Sequence, residues 1–426
     1  MPTTVLVAVA FLLVIVAFPI YLAILAGTVL SFEWLGPAMP ARVLPQRLVE
    51  GINIFALLAV PLFIFAADIV GRGQIGAKLV ALMEGLVGHL RGGLAIATVL
   101  ACAMFGAISG IGAAAVVSIG PIVYPALLKQ GYGRGFAVGL ILSASTLAMV
   151  IPPGVAMILY SVQTSTSVAR VFLGGLAAGG WFVIFLSVYC WWYAVRTKVN
   201  TSDRIGWRQN LTRAKEAIWA IGLPVVIFGG IYSGVFTPTE AAAAACVYAA
   251  VVETLVYRQL SFKELFKLSQ TSAIMISTLM VVISVGSLMT WFMTLERVPV
   301  AITALLNDVP AAAVLAVING LFLIAGMFID PNSAVIIMAP LISPAATAIG
   351  IDPVHLGTVL VFNLAIGMVT PPFGLNIFIG IATFRLPYVE VVKSTIPFIL
   401  LSLLTLLLIT YVPSALLWLP NLVHGV

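Results

Sequence analysis

The chain has 426 residues, 62% of them hydrophobic and 8% charged, with a mean hydropathy of +1.20. Ordinary soluble domains carry charge on about a quarter of their residues, so a soluble fold is excluded and a polytopic membrane protein is implied. The net charge of +6 does not mark a nucleic-acid binder: the basic residues sit in short loops, as topology requires, and none interleave with aromatics into a binding surface.

Cys102, Cys190 and Cys246 lie in apolar stretches without a CxxC pair or a Cys/His cluster, so they read as small buried hydrophobes. His89, His355 and His424 are isolated from other metal ligands and are expected near membrane interfaces. No HExxH motif, Ser-His pair or Asp pair points to an intramembrane enzyme.

In chain order, residues 4–32 form a first span, with Pro19 as an expected kink. The opening Met1-Pro2-Thr3-Thr4 lacks a basic n-region, so this span reads as retained rather than as a signal peptide. Residues 36–50 form a Pro-rich connection, and a second span covers 52–70. Residues 76–91 carry Lys78, Glu84, His89 and Arg91 among apolar residues, the pattern of a helix lying along the membrane surface. Residues 92–128 are apolar but interrupted at Ser109-Gly110-Ile111-Gly112, with basic flanks on both sides. That pattern predicts a re-entrant helical hairpin that enters and leaves on one face. A broken span at 136–163 contains Pro152-Pro153, and a span at 170–194 follows.

The segment 196–215 holds Arg196, Lys198, Arg204, Arg208, Arg213 and Lys215 and reads as a cytoplasmic loop. After a span at 217–235, Thr237-Pro238-Thr239-Glu240 is a helix start, with Thr237 as cap and Pro238 in the first turn. Spans at 239–257 and 270–294 flank a second surface helix at 258–269. No Lys or Arg occurs between Arg297 and Arg385. A second hairpin at 311–347, with its tip at Asp330-Pro331-Asn332, is flanked by Asp308, Asp352 and His355. The broken span 355–383 and a final span at 395–418 complete nine spans and two hairpins.

The two halves repeat. Pro152/Pro371 and Pro121/Pro340 share one offset (371 − 152 = 340 − 121 = 219), as do Gly131/Gly350. Basic flanks around the first hairpin and their absence around the second predict that the repeats are inverted, with the N-terminus cytoplasmic. The expected organisation is first-repeat scaffold and arm helix at 1–91, first-repeat transport elements at 92–163, further scaffold and arm helices at 164–310, second-repeat transport elements at 311–383 and a C-terminal span at 384–426.

Pro-Pro removes two backbone donors and leaves upstream carbonyls without helical partners. Such carbonyls, with hydroxyl and amide oxygens, suit Na⁺, while helix N-termini after each break favour an anion. The candidate ion ligands are Ser109, Gly110, Thr146, Pro152, Gly154, Asp330, Asn332, Asn363, Thr370, Pro371 and Gly374. Candidate substrate contacts are Ser109, Ile111, Gly112, Pro153, Asn332 and Pro372. Ser143 and Ser145 are further polar positions one to two turns before the first break, open to the reading that they bond their own helix. Asp330 is expected to be the one carboxylate at membrane depth, either a coupling group or a cap of the hairpin turn. Na⁺ is the one metal expected.

Three segments, residues 105–132 (FGAISGIGAAAVVSIGPIVYPALLKQGY), 234–245 (GVFTPTEAAAAA) and 326–374 with its GMFIDPNS and TPPFG motifs, resemble the large membrane subunit of tripartite ATP-independent periplasmic (TRAP) transporters. The resemblance implies an all-α, elevator-type, Na⁺-coupled importer in the bacterial inner membrane, not an enzyme. It implies a small four-span membrane subunit and a periplasmic substrate-binding protein as partners, and carboxylates or other organic acids as substrates. The first tip carries fewer hydroxyls than the SGS-like tip usual in that family, so backbone carbonyls would carry coordination there. A stand-alone Na⁺/anion symporter of the same architecture is the alternative.

Overall fold

The computed structural model describes residues 6, 9, 12, 13, 18–34, 42–201, 206–306 and 309–424. Met1 to Thr4, Arg204 and Asp308 fall outside them. Every regular element among the described residues is a helix. Among the described residues ten helical segments are long and apolar enough to cross a membrane, and three of these are hairpin arms.

Pro19 precedes α1 (Ile20–Trp34), and its carbonyl accepts the first backbone bonds of that helix, from Leu22 and Ala23; the stretch 14–17, on which the expected kink depends, lies outside the described residues. The connection expected at 36–50 contains a short helix, α2 (Val43–Glu50). Then come α3 (Ala59–Arg72) and α4 (Ile75–Val87), the predicted arm helix. Hairpin 1 pairs α5 (Gly93–Ser109) with α6 (Gly112–Lys129). The first broken helix comprises α7 (Arg134–Ser145), α8 (Leu147–Val150) and α9 (Val155–Thr164).

Two long helices follow, α10 (Val168–Thr197) and α11 (Trp207–Tyr232). The basic loop is therefore shorter than its charges suggested. Arg208, Arg213 and Lys215 lie on α11, and Arg213 Nη1 reaches Glu84 on the arm helix at 3.1 Å. The Thr237/Glu240 capping box opens α12 (Pro238–Val251) as expected.

The surface helix expected at 258–269 is continuous with the next span in α13 (Phe262–Leu295). The Ser261/Glu264 capping box starts that helix, and no Gly or Pro interrupts it near residue 270, so polar side chains alone do not end it. After α14 (Val298–Leu306), hairpin 2 pairs α15 (Ala311–Phe328) with α16 (Pro331–Ala348). The second broken helix is α17 (Pro353–Gly367) and α18 (Leu375–Phe384). The final span runs over α19 (Tyr388–Tyr411), earlier than expected, and α20 (Ser414–His424) is a separate short helix beyond Pro413.

The repeat is visible in the elements. Helices α6 and α16 keep one offset at both ends (331 − 112 = 348 − 129 = 219), and Pro152-Pro153 and Pro371-Pro372 are both cis. Beyond the breaks the offset becomes 220 (375 − 155), because Phe373 is an extra residue before Gly374. The first broken helix is the centre of the bundle: 94% of its most apolar window is buried. Small residues let the hairpins close on it. Gly106 has no room for a Cβ against the Ala148 backbone, and Gly326 packs on Gly367 in the second repeat. Each hairpin packs on the broken helix of its own repeat, and its second arm also packs on the far half of the other one: α6 on α18 and α16 on α9.

Candidate functional site: one cavity between two hairpin tips

Tip 1 turns through Gly110, whose φ of +63° is left-handed, and Ile111, which is extended. A Cβ at Gly110 would collide with the Pro153 carbonyl, so tip 1 sits directly on the first break. Tip 2 turns through extended Ile329 to Asp330. One Asp330 oxygen accepts from the Asn332 and Ser333 amides at 3.0 and 3.2 Å. Asp330 is therefore the N-cap of α16 and is solvent-exposed at the tip.

Both tips line one cavity of about 370 Å³. Gly110, Ile111 and Gly112 come from tip 1, and Asp330, Asn332 and Ser333 from tip 2. Met149 and Met368, at equivalent places before the two breaks, complete the hairpin side. The opposite wall is Ile64 of α3 and Met275, Thr278, Leu279 and Val282 of α13.

The first residues of four helices lie on this cavity: Gly112 of α6, Val155 of α9, Pro331 of α16 and Leu375 of α18. A helix N-terminus carries about half a positive charge and outward-facing amides; the Asp330 carboxylate already occupies that of α16, which leaves three to favour a negative group. The lining side chains add no Lys or Arg. Any anion held here is therefore held by backbone dipoles and neutral polar groups.

The remaining predicted residues lie behind the tips. Ser109 is fully buried, and its Oγ accepts weakly from Ile111 N at 3.4 Å. Thr146 Oγ1 donates to the Ser143 carbonyl at 2.7 Å, and Thr370 Oγ1 to the Ile366 carbonyl at 2.7 Å. Gly154 and Gly374 are wrapped by the carbonyls of Met149 and Met368 respectively, which the breaks release from the helical ladder. Pro152 and Pro153 are buried beneath tip 1, and Pro371 is partly covered. Pro372 is exposed away from the cavity lining, and its carbonyl accepts from Tyr388 Oη at 2.9 Å.

Asn363 is fully buried. Its Nδ2 donates to the Asn319 carbonyl and Oδ1 at 2.8 and 3.1 Å, which ties the second broken helix to hairpin 2. Asn376, not expected from the sequence, donates to Ser145 Oγ at 2.9 Å and so links the two broken helices. It also lies 3.6 Å from where a Gly112 Cβ would stand. Asn363 Oδ1, Asn376 Oδ1 and Ser143 Oγ are buried without a hydrogen-bond partner. Three uncharged oxygens of this kind are the hard donors an alkali cation takes. Among the described residues no group of three His, Cys, Asp or Glu is gathered where it could hold a metal.

The sequence reading missed one buried and one partly buried carboxylate and the burial of a histidine. Asp330 is not the sole carboxylate within the helices: Glu253, 0% exposed, accepts from Gln74 N and Ile75 N at 3.1 Å each, and so caps the arm helix. Asp68 of α3 is partly buried and accepts from Ser272 Oγ. His355 is buried, with Nε2 2.7 Å from the Ile409 carbonyl. No linear signal gives these, because each partner lies at least 54 residues away in the chain.

Two hairpins and two broken helices around a shared cavity define an all-helical membrane-transporter fold. The crystal structure of the Alcanivorax borkumensis YdaH transporter matches it with a TM-score of 0.68, at 15% identity over 88% of this chain and 89% of that one. The family model "Tripartite ATP-independent periplasmic transporter, DctM component" matches residues 6–415, and the chain belongs to this family of TRAP large permease subunits. A Ruegeria pomeroyi ectoine/5-hydroxyectoine TRAP transporter large permease is 40% identical over 96% of each chain. A Vibrio cholerae C4-dicarboxylate TRAP transporter large permease is 37% identical over 98% of each. The protein is accordingly a multi-pass permease of the inner membrane, as the resemblance implied, and its family is one of transporters rather than enzymes.

Proposed function

We propose that this permease imports a small organic anion, coupled to Na⁺, by carrying the hairpins and broken helices as a unit across a fixed scaffold. The observation that carries the reading is the cavity on which both tips and three uncapped helix N-termini meet. Its 370 Å³ fits a small carboxylate, and its one-sided wall of α3 and α13 gives the moving part a surface to slide along. Ectoine and C4-dicarboxylates, named for the relatives, both carry a carboxylate.

In this reading the two repeats are inverted, so each tip gates the cavity from one side of the membrane. The anion contacts Ile111, Gly112 and Asn332, with Gly110 and Ser333 beside them. Na⁺ is held behind the tips by two sets of oxygens. In the first repeat these are the carbonyls of Ser109, Gly110, Pro152 and Gly154 with Thr146. In the second they are Asn332, Asn363, Thr370, Pro371 and Gly374, joined by Asn376. When bound, Na⁺ supplies positive charge that offsets the anion's own. Asp330 holds tip 2 in shape through its cap. A periplasmic binding protein delivers the anion, and a small four-span subunit completes the scaffold.

The test is uptake into proteoliposomes containing the permease and its candidate partners, with and without an inward Na⁺ gradient. Uptake that ignores Na⁺ sinks the coupling. Uptake that persists without a binding protein makes this a stand-alone symporter.

A further inference from the structure

A second cavity, of about 480 Å³, lies apart from the tips. Residues 163–167, the end of α16 and the start of α17 enclose it, and Arg170 in the first turn of α10 closes one side. Its other polar groups are mostly hydroxyls, among them Thr164, Thr166, Ser343 and Thr347.

Arg170 is the anomaly. Its Nε is buried without a hydrogen-bond partner, and among the described residues its guanidinium forms no ion pair. Asp352, next to the lining residue Pro353, commits Oδ1 to the Val354 and His355 amides. A guanidinium is always charged and offers five donors, so covering part of it unpaired is costly. Its position is also electrostatically wrong for the helix, because a cation in the first turn faces the positive end of the dipole. The repeat-equivalent residue is Glu390 (390 − 170 = 220), which sits in the first turn of α19 and obeys that rule. Helix stability therefore does not explain Arg170. A forked cation at the N-terminus of a 30-residue helix matches a carboxylate, whereas the Thr164 and Thr347 hydroxyls donate to the Tyr160 and Ser343 carbonyls.

We infer that this cavity binds a carboxylate through Arg170, at a place distinct from the cavity between the tips. The inference rests on the transport reading only for the side it faces, which in the expected topology is the periplasm. There the carboxylate comes either from a free organic acid or from an acidic side chain of the periplasmic partner.

The test needs no transport. Phenylglyoxal modification of Arg170 is followed by mass spectrometry on the full-length permease in lipid nanodiscs. Additions are succinate, sodium chloride at matched ionic strength, or the purified binding protein. Protection by succinate and not by chloride supports a free-acid site. Protection by the binding protein alone supports a partner's carboxylate. Equal modification in all conditions, or equal protection by chloride, overturns the inference. If succinate protects, Arg170→Lys weakens its binding about tenfold, because lysine keeps the charge and loses the fork. Unchanged affinity in that variant contradicts the assignment. Failure of Na⁺-driven uptake leaves these readouts untouched, so the two ideas fall separately.

Discussion

Glu253→Gln separates a structural carboxylate from a coupling one. A buried acid within a transporter helix is by default a candidate for ion coupling. Here the geometry gives it a different role. Both Glu253 oxygens accept backbone amides at the start of the arm helix, Oε2 from Gln74 and Oε1 from Ile75. Gly73 lies against the carboxylate with no room for a Cβ. A hydrogen bond to a charged group contributes about 1.5–3 kcal/mol, so glutamine, which keeps one acceptor, costs about 2 kcal/mol. Alanine strands two donors and costs about 4 kcal/mol on the same basis. The pairs Lys78–Glu216 and Arg213–Glu84 also reach this helix, but both are open to solvent and weak. The buried cap therefore dominates the docking of the arm. Thermal unfolding in detergent should fall in the order wild type, Glu253→Gln, Glu253→Ala, while the Na⁺ concentration for half-maximal uptake stays constant. A glutamine variant with wild-type stability and shifted Na⁺ dependence refutes the cap reading.

Three further outcomes follow from named contacts. Gly110→Ala forces a side chain into a left-handed turn, at about 1–2 kcal/mol, and pushes tip 1 off the Pro153 carbonyl; uptake should fall sharply, and wild-type uptake contradicts the close fit. Asn363→Ala removes an unpaired buried oxygen and should weaken Na⁺ activation of uptake; an unchanged Na⁺ curve strikes Asn363 from the ion ligands. Thr237→Ala removes half of a capping box and should lower stability by about 1 kcal/mol without altering substrate affinity, and a change in affinity would place that turn in the transport path.

The hairpins and broken helices were legible because their signals are local. Ser109-Gly110-Ile111-Gly112, Asp330-Pro331-Asn332 and the two Pro-Pro pairs break helices by their own backbone chemistry, and each break lies where the sequence placed it. Asn376 was not legible. It acts across the bundle on Ser145, 231 residues earlier, and the extra Phe373 shifts it out of the 219-residue register. The arm helix was expected, but its cap was not, because Glu253 looks like a charge at the end of a span until Gln74 and Ile75 are folded against it. At α13 the polar run was misleading: charge contrast along a chain reports solvent, whereas helix ends are set by caps and breakers. Asp330 shows the same limit, since a carboxylate at a tip and a carboxylate capping a helix share one sequence pattern until the amides of Asn332 and Ser333 are placed.

The central claim is that the cavity between the tips carries the transported anion, and labelling at the tips tests it most directly. The three native cysteines are buried, so Ile111→Cys and Asn332→Cys each introduce one reactive thiol on the cavity wall. Proteoliposomes bearing either variant are treated with a maleimide, and Na⁺-driven uptake is then measured with and without prior protection by substrate. The account predicts that labelling at either tip stops uptake and that substrate with Na⁺ slows the labelling at both. Full labelling at both tips with uptake intact would contradict it.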